Sequence, residues 1–314
     1  MKALSDIRVA SLLALALLVA GGFALPDWAL FLMTIGLAKA LVSLGIVVQM
    51  RAGLVSFGQG LFFCIGAYVA GLMANFAGLT DIFVLTGISV LACLAIGGIF
   101  GPLLANYRGI FFAMLSLSLS MILYGILSKM NSLGGTDGLN VAAPTFAGYA
   151  PEGRALSLSL YLYTSVIVVA IGAVLRTGFD SQHGLVSLAV RSNELRVEYL
   201  GASVRRTNAI NYVISAMLGG IGGVITGLAI GHVDPEYAYW TTSGEFVFVA
   251  ILAGYLSIPA VFVASIILEL VRSFSNLYFP NTWQMVLGVF LLVIILTLPN
   301  GLGSLFHRRR EGGS

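Results

Sequence analysis

The chain has 314 residues, 59% of them hydrophobic and 9% charged, where an ordinary soluble domain carries about 25% charge. That balance excludes a water-soluble globular protein and identifies an integral membrane protein. A net charge of +3 is too small for a nucleic-acid-binding surface, so the basic residues are read as topology signals.

Runs of about 20 apolar residues mark membrane-spanning helices. They fall near 9–25, 29–48, 53–75, 82–105, 109–128, 159–175, 209–231 and 284–299. The first run follows MKALSDIR and ends among Gly21, Gly22 and Ala24, which imitates a secretory signal peptide. Its continuation to Leu25, with many spans after it, favours an uncleaved first helix. Cys64 and Cys93 both lie inside apolar runs and are read as buried thiols rather than a disulfide.

A further apolar block, 245–272, is interrupted at Ser257-Ile258-Pro259, and each half is short for a full span. With the N-terminus placed in the cytoplasm and sides alternating, twelve of the 16 Lys and Arg fall inside. These are Lys2, Arg8, Arg51, Arg108, Arg176, Arg191, Arg196, Arg205, Arg206 and Arg308 to Arg310, the expected positive-inside bias. Lys129, Arg154 and Arg272 fall outside and Lys39 within a span. If Arg206 and Arg308 share a side, an even number of crossings separates them, so 245–272 enters and leaves by one face as a hairpin or re-entrant pair. Broken backbone at membrane depth survives only where protein or a water-filled cavity covers it, which places this block on a pathway wall.

The expected fold is therefore all-α: one polytopic domain over 1–314 with about eight full spans plus a broken hairpin, and both termini cytoplasmic. The external loop, about 129–157, holds GGTDGL at Gly134 to Leu139 with Pro144 and Pro151, and reads as turns. The cytoplasmic loop, about 180–207, is the longest charge-dense run, and a charge in lipid costs about 3 kcal/mol even on the lenient insertion scale. Within it Leu185, Leu188, Ala189, Leu195 and Tyr199 recur at helical spacing among the charges, giving a short amphipathic helix that ends near Gly201. Such a helix suits docking into a groove of a soluble partner, and a plain solvated loop is the alternative. No Gly-rich loop with Lys and Ser or Thr for ATP phosphates occurs in the chain.

Candidate pathway residues come from two places. In the glycine-rich run GLVSFGQGLFFCIGAYVAG, Ser56 and Gln59 are three apart around Gly58, on one face of the predicted helix. There they either hydrogen-bond a passing polar solute or bond a neighbouring helix within tight packing. Lys39 and Glu245 are ionisable groups at or near membrane depth, where a functional role is the first hypothesis. They meet a solute, pair with one another, or serve locally, Lys39 by snorkelling and Glu245 by capping the helix it begins. His232, Asp234 and Glu236 alternate in GHVDPE like metal ligands, but Asp-Pro more simply marks a turn. His183 and His307 lie in polar segments without companion ligands, and no nucleophile with a base is visible.

The stretch AVRSNELRVEYLGASVRRTNAINYVISA resembles the cytoplasmic coupling loop of permease subunits in bacterial ABC importers of the branched-chain amino-acid type. The same resemblance runs through Ser56-Phe57-Gly58-Gln59, Gly66-Ala67-Tyr68, Arg108-Gly109, Phe112-Ala113 and Asn131-Ser132. It continues in Gly134 to Leu139, Pro235-Glu236, Ser243, Glu245, Pro299 and Gly301-Leu302, in order along the chain. The resemblance implies a non-enzymatic subunit in a bacterial plasma membrane that pairs with a second homologous permease, two ATPase subunits and a periplasmic or extracellular solute-binding protein. ATP and Mg would bind the ATPases, with no cofactor on this chain. Arg191, Asn193, Glu194, Glu198 and Gly201 would then couple to the ATPase, and branched-chain or other small hydrophobic amino acids would be the cargo. Ile46, Met50 and Arg51, and the shortened turn at Ala253 to Ser257, depart from the family pattern, so urea, short amides or another amino acid are the alternatives. From another class, an ion-coupled secondary transporter would use Glu245, the single carboxylate that the sequence places for coupling.

Overall fold

A computed structural model describes residues 2–255, 257–280, 282–297 and 302–303, with side chains at 2–8, 291 and 295 excepted. In chain order the helices are α1 (Lys2–Ala24), α2 (Asp27–Met50), α3 (Gln59–Ala77), α4 (Ile82–Leu104), α5 (Gly109–Lys129) and α6 (Arg154–Phe179). Two short helices follow, α7 (Gln182–Ser192) and α8 (Glu194–Tyr199). After them come α9 (Val204–Ile230), α10 (Trp240–Ala253), α11 (Ile258–Tyr278) and α12 (Trp283–Thr297). Seven of these, α2 to α6, α9 and α11, are long and apolar enough to cross a membrane, while the apolar parts of α1, α10 and α12 are shorter. The protein is a polytopic, all-α, multi-pass membrane protein. The expected positions of Arg308 to Arg310, His307, Pro299 and Gly301, and of the Lys2 and Arg8 side chains, lie outside the described residues.

Two helices form the hub. Helix α9 packs on α2, α3 and α4, while α2 also carries α6, α10 and α11. Lipid tails give no hydrophobic drive between helices, so close backbone approach by small residues has to supply the packing. A Cβ at Gly66 of α3 would collide with the Gly220 carbonyl of α9, and one at Gly223 with the Phe63 carbonyl of α3. Helix α1 lies on α6, where the Tyr161 hydroxyl donates to the Leu18 carbonyl at 3.0 Å. Cys64 and Cys93 are separate buried thiols.

The predicted 129–157 loop is shorter and more ordered than turn residues suggest, since α6 already begins at Arg154. Strand β1 (Leu139–Asn140) pairs antiparallel with β2 (His232–Val233), and Asn75 Nδ2 donates to the Asn140 carbonyl at 2.7 Å. The Asp81 carboxylate caps α4 through Phe83 N and Val84 N and also accepts from Ala147 N at 2.7 Å.

Two breaks reshape the predicted spans. The run 53–75 is not one helix: residues 51–58 are irregular and mostly buried, and α3 starts only at Gln59. The 245–272 block does break between Gly254 and Ser257, but its second limb is no short half-span. Helix α11 has 21 residues and holds Arg272 well inside it, so Arg272 is not an external loop residue. The Gly254–Ser257 turn reaches the layer of α7, because the Arg191 guanidinium stacks over the Tyr255 ring at 3.5 Å. Leu302 N donates to the Leu252 carbonyl at 2.8 Å in the same layer. The end of α10 and the turn after it therefore lie beside α7.

Candidate functional site

Three sets of side chains stand out, and the first is the α7–α8 block. Ser181 caps α7 through Gly184 N, and the backbone turns extended at Asn193 (φ −162°, ψ 104°). The expected single amphipathic helix is thus two, with the Asn193 side chain capping α8 by accepting from Arg196 N at 2.9 Å. Helix α8 stops where Gly201 takes φ +86°, with Gly201 N donating to the Glu198 carbonyl at 2.9 Å and Ala202 N to the Val197 carbonyl at 3.2 Å. The kink sorts the apolar residues by face. Val190 and Val197 pack inward with Ala52 and Val204, whereas Leu195, Tyr199 and Leu200 remain 67%, 89% and 81% exposed.

This block is tied to three other parts of the bundle. Arg108, at the α4–α5 corner, donates from Nε to both Glu194 carboxylate oxygens at 2.7 and 2.9 Å, and its Nη1 donates to the Ala105 and Tyr107 carbonyls. Arg191 joins the end of α2 to the α10–α11 turn, donating to the Met50 carbonyl at 3.4 Å while stacking on Tyr255. His183 Nε2 lies 2.8 Å from Asn211 Oδ1, and Asn211 Nδ2 donates to Ser187, which holds α7 against α9. Glu198 is exposed. Arg51 is buried against the Phe179 ring at 4.1 Å. Burial, followed by Arg176, pulls its pKa below the usual arginine value, while Asp180 and Tyr255 oppose the shift.

The second set surrounds the start of α3 inside the bundle. A helix beginning there has orphan N–H groups that lipid cannot satisfy. Hydroxyls from other helices serve the backbone there: Gly60 N in the first turn donates to Ser243 Oγ at 2.9 Å, and Phe57 N, just before the helix, donates to Ser116 Oγ at 3.2 Å. Ser56 is not on a helical face with Gln59, since it lies in the irregular segment and its hydroxyl accepts from Gly58 N at 3.2 Å. Gln59 Nε2 donates to Ser215 Oγ on α9 at 2.5 Å, and its Oε1 is buried with no protein partner. Gly58 is required by proximity, because a Cβ there would sit 2.5 Å from the Ser116 carbonyl. Ser120 donates to the Ala238 carbonyl at 2.7 Å, tying α5 to the turn before α10.

The third set is ionic and lies between α2, α10 and α11. Lys39 does not pair with Glu245. Its Nζ lies 2.8 Å from Glu269 Oε2, while Glu245 Oε2 accepts from Arg272 Nη1 at 2.8 Å. Nor does Glu245 begin a helix, since α10 starts at Trp240. Glu269 is the functional candidate that sequence reasoning missed, and it corrects the reading of Glu245 as the single suitable carboxylate. The signal was present: an acid inside an apolar run, the same test that singled out Lys39. The GHVDPE residues act locally, with His232 Nδ1 3.1 Å from Asn140 Oδ1, and among the described residues no cluster suited to a metal ion occurs.

The family model described as branched-chain amino acid transport system, permease component, matches residues 28–296. The high-affinity branched-chain amino acid transport system permease protein LivM of Escherichia coli K12 is 26% identical over 92% of this chain and 73% of its own length. Its counterpart LivM in Salmonella typhimurium is 25% identical over the same shares. The permease protein LivH of E. coli K12 is 23% identical over 86% of this chain and 92% of its own. No solved structure matches the chain. A span-filled helical bundle and a family model covering most of its length lead to one assignment: the chain belongs to the family of permease components of branched-chain amino acid transport systems.

Proposed function

We propose that this chain is a transmembrane permease subunit of an ATP-driven importer in a bacterial plasma membrane. It forms part of the path for branched-chain or other small hydrophobic amino acids. A second homologous permease completes the path, two ATPase subunits bind ATP and Mg, and a solute-binding protein delivers cargo. The observation that carries the reading is the α7–α8 block, an exposed apolar edge on a rigid handle. Leu195, Tyr199 and Leu200 offer the grip. Arg108–Glu194 and Arg191–Tyr255 lead from it to the α4–α5 corner and the α10–α11 turn. A push on α8 therefore reaches α5 and α10, whose Ser116 and Ser243 hold the start of α3.

In this reading Arg191, Asn193, Glu194 and Gly201 shape and anchor the handle, and Glu198 faces the ATPase. Ser56, Gly58 and Gln59 form the pathway wall, where the Gln59 carbonyl oxygen is free of protein partners. Urea, short amides or another amino acid remain as alternative cargo within the family. An ion-coupled carrier is less well supported, because both acids found inside the spans, Glu245 and Glu269, are held by basic partners. The test is reconstitution with the ATPases and the binding protein. ATP-dependent uptake of leucine, isoleucine or valine supports the reading, and gradient-driven uptake by the purified chain alone overturns it.

A further inference from the structure

A zwitterion crossing a protein interior has to be offered both signs of charge, because an unpaired charge in a low-dielectric medium is costly. In α2–α6 and α9–α12, the described ionisable Asp, Glu, Lys and Arg residues sit in first or last turns with four exceptions: Lys39, Glu245, Glu269 and Arg272. Those four lie together. Lys39 and Glu269 are each eleven residues from the helix ends in the Arg191–Tyr255 layer, Met50 and Ile258, which puts both roughly 16 Å deep at the helical rise. They alternate in sign across three helices, Lys39 to Glu269 and Arg272 to Glu245, each pair at 2.8 Å.

The two pairs differ in access. The side chains of Lys39 and Glu269 are each 13% exposed, whereas Arg272 is 36% and Glu245 17% exposed. The less exposed pair is Lys39–Glu269. It fixes Glu269, which stands one turn from Arg272 on the same helix and steadies that guanidinium. Both pairs line one crevice walled by Phe246, Val249 and Leu268, and Glu245 and Arg272 are its more exposed charges, beside an aliphatic and aromatic lining. An amino acid has the matching layout: a carboxylate and an ammonium on one carbon, and an apolar side chain.

Resting on the importer reading above, we propose that Glu245 and Arg272 form a docking pair for the solute's α-ammonium and α-carboxylate. The solute inserts between the two charges, exchanging one internal ion pair for two with the ligand, and lays its side chain on Phe246, Val249 and Leu268. Both ends of the ion pair remain neutralised with or without cargo. The site then holds no net charge in either state.

The test uses the complete complex with its ATPases and binding protein in proteoliposomes. Glu245→Gln with Arg272→Gln removes both charges and leaves neither stranded, so assembly is retained. Leucine uptake at fixed ATPase rate should fall at least tenfold, with KM for the loaded binding protein unchanged. Uptake within twofold of wild type overturns the docking pair while leaving the importer reading intact. The exchanged variant, Glu245→Arg with Arg272→Glu, remakes the ion pair in reverse. Assembly and thermal stability kept at the wild-type level without recovered uptake supports docking, and recovery of uptake as well shows that the pair is structural only and overturns it. A wild-type complex that moves urea or an amide but no zwitterion refutes the amino-acid reading, and the docking pair with it.

Discussion

Replacing Glu194 with Ala tests how force would enter the bundle. The carboxylate takes two hydrogen bonds from one Arg108 nitrogen, but the side chains are 33% and 40% exposed, so water screens the pair. Exposed ion pairs contribute roughly 0.2–1 kcal/mol to stability, and the variant should insert and assemble with little loss of thermal stability. The same energy matters more for transmission. A coupling free energy of about 1 kcal/mol corresponds to about a fivefold change between linked sites. We expect amino acid taken up per ATP hydrolysed to fall about fivefold, with ATPase activity retained. Arg108→Ala should match it, and the double variant should add little, since both remove one link. Reconstituted complex assayed for uptake and phosphate release gives the ratio. A ratio within twofold of wild type for Glu194→Ala would refute transmission through the α4–α5 corner.

Other substitutions probe the remaining parts. Gly201→Pro cannot adopt φ +86° and removes the N–H that closes α8; at about 3 kcal/mol for a misplaced proline, ATPase association measured by co-purification should drop while the subunit still inserts. Lys39→Met strands Glu269 in the bundle and should destabilise the subunit by about 3–5 kcal/mol, whereas Lys39→Met with Glu269→Met should restore melting in detergent to near wild type. Ser243→Ala leaves Gly60 N without its acceptor, at about 1–3 kcal/mol for a buried unsatisfied donor, and uptake should fall while co-purification with the ATPases is kept. Gly66→Leu drives a side chain into the α9 backbone; folded yield by gel filtration should collapse, and a wild-type elution profile would show that α3 and α9 are not in close contact.

Much of the fold could be read from apolar runs, because span length and the demand for internal hydrogen bonding leave helices as the natural solution. The stop at Gly201 was legible for the same kind of reason, since glycine relieves the left-handed turn that ends α8. The break before Gln59 was not. Leu54, Val55 and Phe57 continue the apolar run straight into α3, and the hydroxyls that accept from the backbone at the break, Ser116 and Ser243, come from far along the chain. Long-range partners also hid the ionic set: Lys39 and Glu269 are 230 residues apart, and no local pattern joins them. Arg272 was misplaced because the apolar run was cut there, although α11 continues another turn and a half to Tyr278. The split of α7 from α8 turned on Asn193, whose side chain competes for the backbone and restarts the helix one residue later.

Coupling to an ATPase requires that the α7–α8 block face the cell interior. Ser192 is exposed beside the kink, and Cys64 and Cys93 are buried, so Ser192→Cys offers a clean target for a membrane-impermeant maleimide. Labelling only after the cells are permeabilised is the predicted result. Labelling of intact, sealed cells from outside would contradict it.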